Sequence, residues 1–189
     1  MKSKIQIKLL FSLCFMLSPL NAFGISSNFN PEILKVGNSL PSAKLKSYQN
    51  SDVNINDLKG KIKIISIVPK LNTPVCDKQT HRFSESNKGL DKKVDIITLS
   101  TNTIEDQQNF AKEAKIDNII FLSDNPTNQF GKKTGLLIEG LGILRRTVIV
   151  ADENNIIRYI DFVPGGGLPN IKKALEAAKV LLPPSKTKS

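Results

Sequence analysis

The sequence is poor in the residues that metal, dithiol and nucleic-acid chemistries need. Among 189 residues there are two cysteines, Cys14 and Cys76, one histidine, His81, and no tryptophan. One histidine with one or two cysteines cannot make a usual zinc or copper ligand set, so no resident metal is expected. There is no Cys-x-x-Cys, which argues against a disulfide oxidoreductase. The 27 Lys and Arg residues outnumber the 17 Asp and Glu residues and give a net charge of +10. The lysines are nevertheless scattered along the chain, and no alternation of aromatic and basic residues offers a base-stacking platform, so nucleic acid is not an expected partner. A solvated basic surface, drawn to anionic surfaces, is the expected meaning of that charge. The chain has no internal repeat, and its length suits one domain with a sizeable core.

An apolar stretch over 9–20 follows Lys2, Lys4 and Lys8 and precedes Ala22 and Gly24, small residues at the minus-three and minus-one positions of a cleavage site. The pattern predicts a secretory signal over 1–24, cut after Gly24, and a periplasmic or secreted protein without stable membrane insertion after cleavage. The alternative is an uncleaved anchor, but the run is short of the roughly 20 residues a bilayer span needs, and Pro19 and Asn21 interrupt it. Cys14 raises a second alternative, a lipid anchor, although Leu13 stands where lipidation signals want a small residue. Cleavage would remove three lysines and leave the protein basic. It would also leave Cys76 as an odd cysteine in an oxidising compartment, where an unpaired thiol needs a reason.

Residues 25–35 read as a linker rich in Ser and Asn, 36–182 as the domain and 183–189 as a disordered tail behind Pro183 and Pro184. Alternation over 43–48 and 53–55 predicts an edge hairpin, and 62–68 (IKIISIV) has the β-branched content of a buried strand. Further strands are expected over 94–99, 119–122, 147–150 and 156–163. Helices are expected over 77–87, over 105–115 with Phe110, Ala111 and Ala114 inward, and over 124–134, opened by Asp124 or Asn125 and ended by Gly135. The last helix has the clearest stripe: Leu168, Ile171, Ala174, Leu175, Ala178 and Leu181. Strands alternating with helices, then a hairpin and a closing helix, argue for an α/β sandwich with a mixed sheet.

Cys76 lies at the junction between the 62–68 strand and the next helix. Thr73 is a good N-cap and Pro74 a good first helical residue, which puts Cys76 in the first turn. Unpaired backbone N–H groups and the positive end of the helix dipole favour a thiolate there, and the thiolate is the nucleophilic form.

The spacing Pro69-x-x-x-Thr73-x-x-Cys76 after a buried strand resembles the active-site signature of the peroxiredoxins, and the string Thr-Pro-Val-Cys-Asp-Lys-Gln-Thr-His-Arg-Phe (73–83) is similar to their thiol peroxidase subfamily. The resemblance covers about 36–180. It implies a thioredoxin-like mixed sheet flanked by helices with an N-terminal β-hairpin, and a thiol peroxidase that needs no cofactor. Hydrogen peroxide and small organic hydroperoxides are the implied substrates. Cys76 would be the reacting thiol, Thr73 a donor to thiolate and peroxide, Pro69 a shield for the pocket, and an arginine from a later strand the fixed positive charge. Arg146 matches that position. Its neighbour Arg145 would face the opposite side of a strand, and periodicity does not choose between them, since apolar residues follow in both phases.

Relatives with two cysteines carry a resolving thiol where Phe110-Ala111 stands here. Any sulfenic acid on Cys76 would then be reduced by an outside thiol, from a thioredoxin-like protein or a small molecule. The family also implies a homodimer. The alternative reading is a catalytically weak redox sensor or binding protein that acts through a mixed disulfide. His81 falls off the sulfur-facing positions Gln79, Thr80 and Phe83 and reads as an exposed helical residue. The Gly165-Gly166-Gly167 run departs from the more acidic segment that the resemblance leads one to expect before the last helix.

Overall fold

The computed structural model describes residues 33–184. The expected signal over 1–24, most of the 25–35 linker and nearly all of the 183–189 tail lie outside the described residues. The first elements are the hairpin of β1 (Lys44–Ser47) and β2 (Asp52–Asn54). It turns through Asn50, whose φ of 60° is a left-handed conformation that asparagine tolerates. Then come β3 (Lys63–Ile67), α1 (Pro74–Ser86), β4 (Asp95–Ser100), α2 (Ile104–Ala114), β5 (Ile120–Ser123) and α3 (Gln129–Thr134). A two-residue pair, β6 (Leu137–Ile138) and β7 (Ile143–Leu144), precedes β8 (Thr147–Ala151), β9 (Ile157–Phe162) and α4 (Ile171–Leu181).

Seven strands form one sheet in the order β2-β1-β5-β4-β3-β8-β9. The three central strands β5, β4 and β3 are parallel because α1 and α2 carry the chain back between them, while the outer pairings on both sides are antiparallel. Burial on both faces explains why β3 reads as a near-continuous apolar run, with all five of its residues buried. The pleat divides them. Ile64 and Val68 join Val148, Val150, Cys76, Phe83, Ala111 and Ala174 in one core layer, whereas Ile65 and Ile67 join Ile97, Leu99, Ile149, Phe130 and Leu136 in the other. The helix-side layer is therefore set by the even residues of β3 and β8.

Three elements differ from the sequence expectation. α3 starts at Gln129, five residues after Asp124, because Asp124 acts from a distance. Its carboxylate accepts the N–H groups of Phe130 and Gly131 at 2.8 and 2.7 Å, capping the helix from the end of β5. The β6–β7 pair was not expected, since two residues per strand carry no readable period. Leu168 lies outside α4, which begins at Ile171 behind the N-cap Asn170, whose side chain accepts the Lys173 N–H at 3.0 Å.

Candidate active site

Chain order puts the end of β3, the 68–73 loop and the start of α1 next to one another. Thr73 occupies the N-cap position with extended backbone (φ −117°, ψ 144°), Pro74 opens α1, and Cys76 is its third residue. The sulfur is fully buried, and Cys76 is the free cysteine among the described residues. Arg146 comes from the segment between β7 and β8 and shares the phase of Val148 and Val150, which face the helix side of the sheet. Its Nη2 donates to Cys76 Sγ at 3.2 Å. Arg145, in the other phase, donates its backbone N–H to Leu136 O at 2.7 Å. Arg146 is thus the arginine that meets the sulfur.

A second guanidinium bond fixes this contact. Arg146 Nη1 makes a short hydrogen bond to Gln79 Oε1, and Gln79 Nε2 donates to Ser66 Oγ at 2.7 Å. Gln79 lies one turn after Cys76 on the same face of α1, and Ser66 occupies the helix-side phase of β3 between Ile64 and Val68. The chain Ser66, Gln79, Arg146, Cys76 is buried throughout, so these bonds act in a low-dielectric setting where they are strong. Neither Ser66 nor Gln79 was expected to have a role. The available signal was a fully buried glutamine three positions after the cysteine, which must spend both ends of its amide.

Thr73 differs from the sequence expectation in what its side chain does. It makes no side-chain cap bond, and its hydroxyl donates to Lys70 O at 2.9 Å, so at rest the hydroxyl braces the loop instead of the sulfur. The residue is exposed and lines a depression with Pro74, Asp77, His81 and Phe110. Pro69 instead lines a cleft of about 440 Å³ with Ile138, Leu144, Arg146, Phe162 and Val163. Arg146 lines this cleft, and its Nε is buried with no hydrogen-bond partner, a spare donor at the site. The Pro164–Gly166 turn forms part of the same wall, with Gly165 and Gly166 at φ 69° and 78°, a conformation that favours glycine. His81 sits between Asp77 and Glu85, at 3.3 and 3.5 Å, and edges the Phe110 ring.

Ala111, where the two-cysteine relatives place a resolving thiol, packs in the same buried layer as Cys76. The arrangement as a whole holds one sulfur at a helix N-terminus against a fixed cation whose residue also lines the apolar cleft. That combination aims donors at the place where negative charge develops on a departing oxygen.

Residues 35–175 match the family model described as Redoxin. The chain belongs to the peroxiredoxins. It is 36% identical over 150 residues to a thiol peroxidase of Halalkalibacterium halodurans, covering 79% of this chain and 90% of that protein. A thiol peroxidase of Streptococcus pneumoniae strain R6 is also 36% identical, over 155 residues, with 82% and 94% covered. Among solved structures, a peroxiredoxin-like protein from Aquifex aeolicus aligns with a TM-score of 0.71 at 29% identity, covering 78% of this chain and 88% of that one. The thiol peroxidase from Chromobacterium violaceum, at 20% identity and a TM-score of 0.66 over 82% of this chain and 89% of its own, shares the fold.

Proposed function

We propose that Cys76 is the reacting thiol of a thiol-dependent peroxidase. The observation that carries this reading is the 3.2 Å bond from Arg146 Nη2 to Cys76 Sγ in the first turn of α1. The thiolate attacks the terminal oxygen of hydrogen peroxide or a small organic hydroperoxide. The S–O bond forms as the O–O bond breaks, the leaving oxygen takes a proton, and water or an alcohol departs, with Cys76 now a sulfenic acid. Arg146 donates to the oxygens as charge develops, through a planar fork that a simple ammonium lacks. Pro69, with no N–H and a fixed φ, shields the cleft from water. Thr73 serves by turning its hydroxyl from Lys70 O toward the substrate.

With Ala111 in place of a resolving cysteine, the sulfenic acid is reduced from outside. One thiol condenses with it, releasing water and leaving a mixed disulfide, and a second thiol returns Cys76 to the reduced form as the external disulfide leaves. The net reaction consumes one hydroperoxide and two thiols and yields an alcohol or water, a second water and one disulfide. We further propose export after cleavage behind Gly24, and a homodimer.

The test is a peroxide titration of the chain from residue 25, with and without small thiols or a thioredoxin-like protein, followed by intact mass. Addition of one oxygen at Cys76, reversed by thiol, is the expected result. A Cys76→Ser variant that still consumes peroxide would reject the assignment, and slow oxidation of the wild type would favour a sensor over a peroxidase.

A further inference from the structure

A cleft of about 790 Å³ lies between the C-terminal half of α1 and the start of α4, and the peroxidase chemistry makes no use of it. Its rim carries Arg82, Lys88, Lys172 and Lys179, all exposed, against one lining carboxylate, Glu176. Glu176 lies 3.9 Å from Lys172, which leaves the other three cations without an acidic neighbour in the lining. The floor is apolar, formed by Leu168, Ile171 and Leu175.

Two features mark this charge as more than a solvated surface. The first turn of α4 has no acidic residue and carries Lys172 and Lys173 instead, at the end of the helix dipole where cations are disfavoured. An anion brought from outside would relieve that repulsion. In addition, Ile171 and Leu175 are buried beneath the cations, so the basic rim stands over an apolar floor. The lining contains no Trp, Tyr or Phe, and Arg82 is its one residue of a type on which protein interfaces anchor. A mostly lysine rim over an apolar floor suits anionic headgroups better than a protein groove.

The segment 163–170 joins the walls of the two clefts. Val163, Pro164, Gly165 and Gly166 wall the cleft beside Arg146, and Leu168, Pro169 and Asn170 line the basic one. Gly166 and Leu168 can stand no more than about 7 Å apart, two residues of extended chain. We propose that the basic cleft docks this protein on a membrane surface of anionic phospholipid, with the rim cations on headgroup phosphates.

The experiment is co-sedimentation of the chain from residue 25 with vesicles of phosphatidylcholine alone or mixed with phosphatidylglycerol, at low and high salt. Binding to the mixed vesicles only, lost at high salt, is expected. Arg82→Glu with Lys179→Glu should weaken it about tenfold or more, at roughly fivefold per basic residue near the surface, and leave the rate with hydrogen peroxide unchanged. Lys172→Gln provides a second variant, because it removes one rim cation without setting a like charge beside Glu176, yet it should also weaken binding. Equal binding to neutral vesicles, no binding to the mixed ones, or variants that bind like the wild type would overturn the proposal. So would capture of an acidic polypeptide such as polyglutamate without vesicle binding, which would assign the cleft to a protein partner.

Discussion

Replacing Arg146 by lysine separates charge from geometry at the reacting sulfur. The arginine holds Gln79 Oε1 through Nη1 and Cys76 Sγ through Nη2, and still has a buried Nε without a partner. Lysine brings the same charge on one nitrogen, which must choose between the amide and the sulfur. If it stays with Gln79, the developing oxyanion loses its donors. If it turns to the sulfur, Gln79 Oε1 is left buried and unpaired, at a cost of about 1–3 kcal/mol. Loss of one preorganised donor is worth about 2.7–4 kcal/mol in the transition state, so peroxide reduction should slow about 10²–10³-fold. The melting temperature should fall by a few degrees, as expected for that partial loss of pairing. Stopped-flow measurement of peroxide consumption, with intact mass to follow oxidation of Cys76, reads both variant and wild type. The paired control is Arg145→Lys, which should change the rate little because it keeps the charge of a residue that lines the cleft and leaves the Arg146 bond to the sulfur intact. Equal slowing by the two variants, or an Arg146→Lys rate within a few-fold of wild type, would refute the reasoning.

Gln79→Leu should slow the reaction while Gln79→Glu restores part of the rate, because only the second can still accept from Arg146; equal rates would show that the amide merely fills space. Thr73→Val should slow peroxide reduction more than Thr73→Ser, read as rate at matched stability, since the serine keeps a hydroxyl that can turn from Lys70 O to the substrate. Oxidation of Ala111→Cys should remove two hydrogens where the wild type gains oxygen, provided α1 and α2 open locally; intact mass decides, and oxygen addition without a bridge would show that they do not. Burial raises the Asp124 carboxyl to about 6 from an ordinary 3.8, against the lowering effect of the Gly131 and Phe130 N–H groups. The folded protein therefore binds this proton more tightly than the unfolded chain, and stability should fall by about 3 kcal/mol at most as pH rises from about 4 to 6. Asp124→Asn should flatten that slope in denaturant titrations, and an unchanged slope would reject the assignment.

Local signals in the chain were enough for most of the scaffold. The β-branched run at 62–68 became β3, the stripe through Ile171, Ala174, Leu175 and Ala178 became the buried face of α4, and Asn50 turned the edge hairpin. These features depend on neighbours within a turn or a pleat, and a linear sequence displays such neighbours directly. α3 escaped that logic because its cap comes from Asp124, six and seven residues away across a loop.

By itself, the sequence determined the order of elements, the placement of Cys76 in the first turn of a helix, the presence of alanine at 111 and the family these residues belong to. Those properties follow from short spacings and residue types. Only the tertiary structure decided which arginine reaches the sulfur, since Arg145 and Arg146 are equivalent in periodicity and are separated by which face of β8 lies under α1. It also decided that Gln79 and Ser66 brace Arg146, and that Thr73 turns to Lys70 at rest. Arg146 lies 70 positions from Cys76 and 67 from Gln79. Contacts at that separation exist only once the sheet has aligned β3 with β8 and laid α1 across them.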